Sequence, residues 1–254
     1  DVEIATPTMP KPMSKPHQPQ SLMRFLTHSS RLLCAWAWLL SAAAHAGMGI
    51  VERDGEPGRI PFTAFYPTEQ TEQSRHRGPF EFSLAPNATP SPGPHPLVVI
   101  SHGSGGSPWV QVDLARTLIE NGFVVVMPEH RSDNYKDFSD PGPSSWKLRP
   151  AEVSQAIDLI AQDPLLGPVT STAQVAMYGG SAGGHTALTL AGGRWSDAAF
   201  LRHCEAHLAA DFSSCVGFVT RLQGNLWDPL KKAVAMGVLR QRFTDPTWHT
   251  HHDP

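Results

Sequence analysis

Residues 174–178 (QVAMY) form a short apolar run that passes through Gly179-Gly180-Ser181-Ala182-Gly183 straight into a helix-forming stretch at 184–191. A backbone that must turn from strand to helix around a single residue holds that residue in a strained conformation and projects its side chain above the sheet. Residues 179 and 183 must be small, because the turn brings strand and helix backbones close together. The spacing alone is weak evidence in a chain with 21 glycines. An apolar run before it and a helix after it are what give it meaning. The pattern demands a parallel strand whose C-terminal end carries an exposed serine.

The rest of the chain supplies partners for that strand. Residues 60–66 (IPFTAFY) read as a strand, and 97–101 (LVVIS) and 123–127 (FVVVM) as buried strands without polar alternation. A helix is expected over 108–121, with proline in its first turn and Gly122 at its end. Residues 67–96, with five prolines in the second half, read as a long loop, and 132–143 as another. An amphipathic helix is expected over 150–162, with Val153, Ile157 and Ile160 on one face. Strand and helix alternating at this spacing imply an α/β fold built on a parallel sheet, with 174–178 as its third central strand.

The N-terminal 46 residues stand apart. Residues 1–22 are proline-rich and nearly free of apolar side chains, and read as a disordered leader or a mis-assigned start. Residues 23–46 have the layout of a secretory signal peptide: Arg24 and Arg31, the apolar core 32–40 (LLCAWAWLL), then Ala44-His45-Ala46 as cleavage site. A membrane-spanning anchor would need about 20 apolar residues. The expectation is export to the periplasm or medium, with a mature chain starting at Gly47 and no stable membrane anchor. Of three cysteines, Cys34 leaves with the signal. Cys204 and Cys215 then read as one disulfide, two buried thiols being the alternative. Three cysteines also exclude a four-cysteine zinc site. With 20 Lys+Arg against 23 Asp+Glu, the charge balance argues against nucleic-acid binding.

His102-Gly103-Ser104-Gly105-Gly106 follows the strand at 97–101 and can aim backbone N–H groups at the space above the sheet. The N–H groups of Ser104 and Ala182 would then form an oxyanion hole. A phosphate cradle is the competing reading, discounted because no Gly-Lys-Ser/Thr ending is present. His102 is expected to hydrogen-bond its own loop and His185 to pack, neither acting as the base.

Taken in order, Phe65-Tyr66-Pro67, His102–Gly106, Pro128-Glu129-His130-Arg131, Arg149-Pro150 and Gly180–Ala187 resemble the α/β-hydrolases. The branch most similar contains the predicted dienelactone hydrolase-like proteins and the platelet-activating-factor acetylhydrolases. The resemblance implies a doubly wound, mostly parallel sheet and Ser181 as the nucleophile of an esterase acting on a small ester substrate through an acyl-enzyme, without cofactor or metal. Dienelactone hydrolases carry cysteine at that position, so lactone specificity is not carried over.

In that superfamily the acid and the histidine base follow the nucleophile along the chain. Only 73 residues follow Ser181, and they do not read as further strand–helix units. Residues 194–208 and 225–243 read as helices, and 216–222 as the best strand candidate. The expectation is an α/β-hydrolase domain over 47–193, incomplete after the nucleophile strand, then a helical cap at 194–254, with acid and base absent from the chain. Two alternatives stand beside the esterase: a catalytically inactive fragment or binding module, and a metal-binding protein using His249, His251, His252 and Asp253.

Overall fold

The computed structural model describes residues 47–217 and 219–250. The leader and signal segment lie outside that range, as do His251, His252 and Asp253. Seven strands form one sheet in the order β3-β4-β1-β2-β6-β5-β7. They are β1 (Gly47–Arg53), β2 (Phe62–Thr68), β3 (Gln73–Arg77), β4 (Phe80–Pro86), β5 (His95–Ser101), β6 (Val124–Pro128) and β7 (Thr170–Gly179). β6, β5 and β7 run parallel, while β2 pairs antiparallel with both β1 and β6.

The unbroken apolar runs are explained by helices on both faces. Leu97, Val99, Val124 and Val126 point to one side, where α2 (Pro143–Gln162) contributes Val153, Ala156 and Ile160. Val98, Ile100, Val125 and Met127 point to the other, against Val112, Ala115 and Ile119 of α1 (Val112–Glu120). With a side-chain period of two and both faces covered, a strand has no position left for a polar residue. The doubly wound α/β expectation is met. α3 (Ala182–Leu190) leaves the end of β7, and α4 (Asp197–His207), the single turn α5 (Phe212–Cys215) and α6 (Asp228–Arg242) follow. No helix among the described residues is long and apolar enough to cross a membrane.

Four local expectations are corrected. Residues 67–96 are not a loop, since β3 and β4 pair as an antiparallel hairpin through Gly78, whose φ of +58° suits the turn. β3 is exposed along its whole length, so it carries no apolar signature. α2 starts at Pro143 and holds Pro150 inside it. Proline lacks only the N–H toward residue 146, and the surrounding burial holds the helix together. Residues 216–222 contain no strand among those described. Finally, β7 is not central: it lies at the edge of the described sheet, with Tyr178 exposed.

The small residues around the turn are needed sterically. A Cβ on Gly183 would stand 2.0 Å from the Ser101 carbonyl oxygen, and one on Gly179 would stand 2.0 Å from that of Gly183. Gly183→Ala is therefore expected to force α3 away from β5 and cost about 2–3 kcal/mol. Urea denaturation of the variant checks this, and an unchanged midpoint would contradict it.

Candidate active site

Ser181 sits between β7 and α3 with φ +53° and ψ −118°. A side chain other than glycine at positive φ in such a region costs on the order of 1–3 kcal/mol and persists only where the surroundings enforce it. Here they do, because Gly180 N–H donates to the Ser101 carbonyl at 3.3 Å and Gly183 N–H to the Gly180 carbonyl at 2.9 Å. Ser181 is exposed while Ala182 and Gly183 are buried. The hydroxyl therefore stands above the C-terminal edge of the parallel strands.

The glycine-rich loop comes to the same place. A Cβ on Gly103 would lie 3.3 Å from Ser181 Cβ and 3.9 Å from its Oγ. The loop thus approaches the serine as closely as backbone without a side chain can. Its shape is fixed by a buried ion pair that the sequence reading missed. Arg149 and Asp133 are both fully buried, with Nη2 2.9 Å from Oδ2. Arg149 also donates to the carbonyls of His102 (2.6 Å) and Asp133 (3.2 Å) and to Ser145 Oγ (3.0 Å). Asp133 Oδ1 accepts from Ser104 Oγ at 2.5 Å and from Gly105 N–H at 2.9 Å. The Gly105 N–H is thereby committed to a carboxylate, which leaves the neighbouring Ser104 N–H as the loop donor expected to serve Ser181. Phe138, largely exposed, covers the Gly105 side of the loop.

Of the nearby imidazoles, His102 and His130 are hydrogen-bonded elsewhere, while His185 Nδ1 is buried without a hydrogen-bond partner. His102 Nδ1 lies 2.7 Å from the Gly103 carbonyl, and its Nε2 accepts from the His130 N–H at 3.4 Å. Burial, then His130, push it down to about 3. His185 donates its backbone N–H to the Ser181 carbonyl, and its ring lies against Trp146 and Trp195, 5.1 and 4.8 Å between centroids. Burial, then Arg149, lower it to about 4, so it packs as a neutral ring.

His130 makes a third arrangement, in the shape of a serine–histidine–carboxylate relay. Its Nδ1 lies 2.7 Å from Glu152 Oε2 and its Nε2 2.7 Å from Ser101 Oγ. The carboxylate requires Nδ1–H as donor, so Nε2 accepts from the Ser101 hydroxyl. Burial, then Arg149, hold His130 well below the ordinary imidazole range. Ser101 and His130 are completely buried. No substrate reaches them, and the relay instead fastens the end of β5 to α2 beneath the loop. Among the described residues, then, no imidazole is hydrogen-bonded to Ser181.

Two buried imidazoles, His102 and His130, and the half-buried His185, all held neutral, have a consequence for stability. Their folded pKa values are lowered, so the unfolded chain binds more protons as pH falls through about 6.5. The stabilisation is complete above that value and lost below it, by up to about 2 kcal/mol for each imidazole at pH 5. Glu152, raised by burial, acts in the opposite direction above its own ordinary range and offsets part of this loss. Chemical denaturation at pH 7 and pH 5 is expected to show a loss of several kcal/mol; equal stability at both would contradict the neutral assignment.

The helical stretch after α3 contains the expected disulfide. Cys204 on α4 and Cys215 on α5 are bonded, over Leu239 of α6. Of the terminal histidines, His249 is described: its backbone exchanges both hydrogen bonds with Trp195, at 3.2 and 2.7 Å, and its ring lies 4.9 Å from that indole.

The family described as platelet-activating factor acetylhydrolase, isoform II, matches residues 66–136. That stretch runs from β2 through the glycine loop to Lys136. None of the curated proteins matches the sequence. Among solved structures, a ferulic acid esterase from Streptomyces cinnamoneus is similar at 16% identity, over 59% of this chain and 56% of that one, with a TM-score of 0.49. An esterase from Pyrobaculum calidifontis is 20% identical over 65% of this chain and 45% of that one, TM-score 0.35. A thermostable esterase from Pseudomonas putida is 14% identical over 91% and 64%, TM-score 0.40. The chain spans about half the length of the first two solved structures it matches. The doubly wound sheet, the Ser181 turn and the match over residues 66–136 agree on an architecture of the α/β-hydrolase type, similar over that stretch to platelet-activating factor acetylhydrolases.

Proposed function

We propose that the chain is a serine-type carboxylic-ester hydrolase in which Ser181 attacks the ester carbonyl and carries the acyl group. The observation that carries this reading is the Ser181 backbone, held at positive φ with its side chain exposed at the strand end. Geometry of that kind is costly and serves to present a nucleophile. The tetrahedral oxyanion would accept from the N–H groups of Ser104 and Ala182, the first on a loop fixed by Asp133 and Arg149, the second at the start of α3. No cofactor or metal is assigned a role.

The acid and base are placed outside the described residues. The open edge of β7 supports this, because unpaired N–H and C=O groups next to Ser181 are where a further strand would add. Export and cleavage after Ala46 are proposed with the same reading, supported by the basic, apolar and small-residue layout of residues 23–46. The inactive or ligand-binding alternative is favoured by one observation only, that His102 and His130 are hydrogen-bonded within the fold and His185 packs against Trp146 and Trp195.

Hydrolysis of short-chain p-nitrophenyl esters tests the proposal. Turnover by the 254-residue chain is expected to be weak, and whatever enzymic rate exists should disappear in Ser181→Ala. A rate that survives that substitution contradicts it.

A further inference from the structure

Away from Ser181, one cluster combines ligating groups of three chemical kinds. α4 presents His203 and His207 one helical turn apart, their rings 5.0 Å between centroids. His203 Nε2 lies 2.9 Å from Asp211 Oδ2. One ligand atom from each of His203, Asp211 and Cys215 falls within 4.8 Å of the others. Cys215 Sγ is bonded to Cys204 Sγ, which lies outside that group of three.

Around a tetrahedral zinc ion, nitrogen, oxygen and sulfur ligands stand about 3.3–3.8 Å apart. The cluster is within roughly 1 Å of that arrangement before any side chain turns. Its surroundings suit a cation as well. The His203 and Asp211 side chains are 48% and 41% exposed and open a path from solvent. The two sulfurs are buried against Leu239, Phe200 and Met236, an apolar floor that strengthens charge–ligand attraction. What blocks the site is the disulfide, because bonded sulfur is a poor donor and thiolate a strong one.

We propose that this cluster is a thiol-gated site for a divalent cation of the zinc class, closed in the disulfide form and opened by reduction. The ligands are His203 Nε2, an Asp211 carboxylate oxygen and the sulfur of Cys215, with water completing the shell. In the opening step a dithiol reductant gives two electrons to the S–S bond, which breaks. The dithiol becomes a disulfide, and its two protons pass to Cys204 and Cys215. Binding of the cation then displaces the Cys215 proton to solvent, so uptake strengthens as pH rises.

Cobalt(II) is the probe, because thiolate coordination gives it a charge-transfer band that nitrogen and oxygen ligands do not. The full chain, reduced with a dithiol and desalted without air, is expected to bind about one Co2+ with that band, and Zn2+ should bleach it. The oxidised chain should show no such band. His203→Ala and Asp211→Ala should each weaken binding at least about tenfold. Cys204→Ser, which frees Cys215 without any reductant, should give the band even if the reduced wild type loses its fold. Absence of the band in both the reduced wild type and Cys204→Ser would overturn the proposal. So would a band that His203→Ala leaves unchanged, since the sulfurs would then be binding alone.

Discussion

Arg149→Met is expected to destabilise the folded chain by about 3–5 kcal/mol, the cost of leaving a buried charge without its partner. The substitution keeps much of the side-chain volume and removes every donor. Asp133 would stay completely buried with its carboxylate unopposed, and the carbonyl of His102 would lose its 2.6 Å bond. The loop that approaches Ser181 would lose its anchor at the same time, so the damage reaches beyond global stability. Urea denaturation measures the first effect. Replacing Asp133 as well, by leucine, should recover part of the loss, because a buried pair removed together leaves no orphan charge. A loss below about 1 kcal/mol in Arg149→Met would show that the pair is solvated and that the loop is held by something else.

That pair also shows where sequence reading stops. The central strands were legible because burial on both faces leaves an unbroken apolar run, as in 97–101 and 123–127. The turn at Ser181 was legible because its steric demands fall on adjacent residues. The hairpin was partly legible: Phe80, Phe82 and Leu84 alternate along β4, but the prolines that follow masked the signal and β3 offered none. The clamp on the loop was not legible at all. His102, Asp133, Ser145 and Arg149 are spread over two loops and one helix, and only the fold brings them together. His130 shows the converse, since its contacts have the form of a catalytic relay and its burial denies it that role. β7 was misplaced for a physical reason: its apolar run fits a central strand, while the described sheet leaves its outer edge without a neighbour.

The second large effect concerns Ser181 itself. With no imidazole against it among the described residues, both halves of an acyl-transfer cycle should be slow, but not equally slow. p-Nitrophenolate is a good leaving group and departs without an acid. Water attacking an ordinary acyl ester does need a base. Deacylation should therefore fall behind acylation, and the acyl-enzyme should accumulate where a complete triad would turn over. In a well-studied serine protease, losing a triad member leaves a residual ~10³–10⁴-fold enhancement from the oxyanion hole and binding. That is enough for a slow, single acylation.

Peptide mapping by mass spectrometry after incubation with p-nitrophenyl acetate tests the nucleophile most directly. One acetyl group is expected, on the peptide containing Ser181, accumulating over hours and absent from Ser181→Ala. An acetyl group that persists in that variant, or wild-type labelling confined to lysines, would contradict the assignment of Ser181 as nucleophile. Sustained Ser181-dependent turnover without accumulation would contradict the placing of the base outside the described residues.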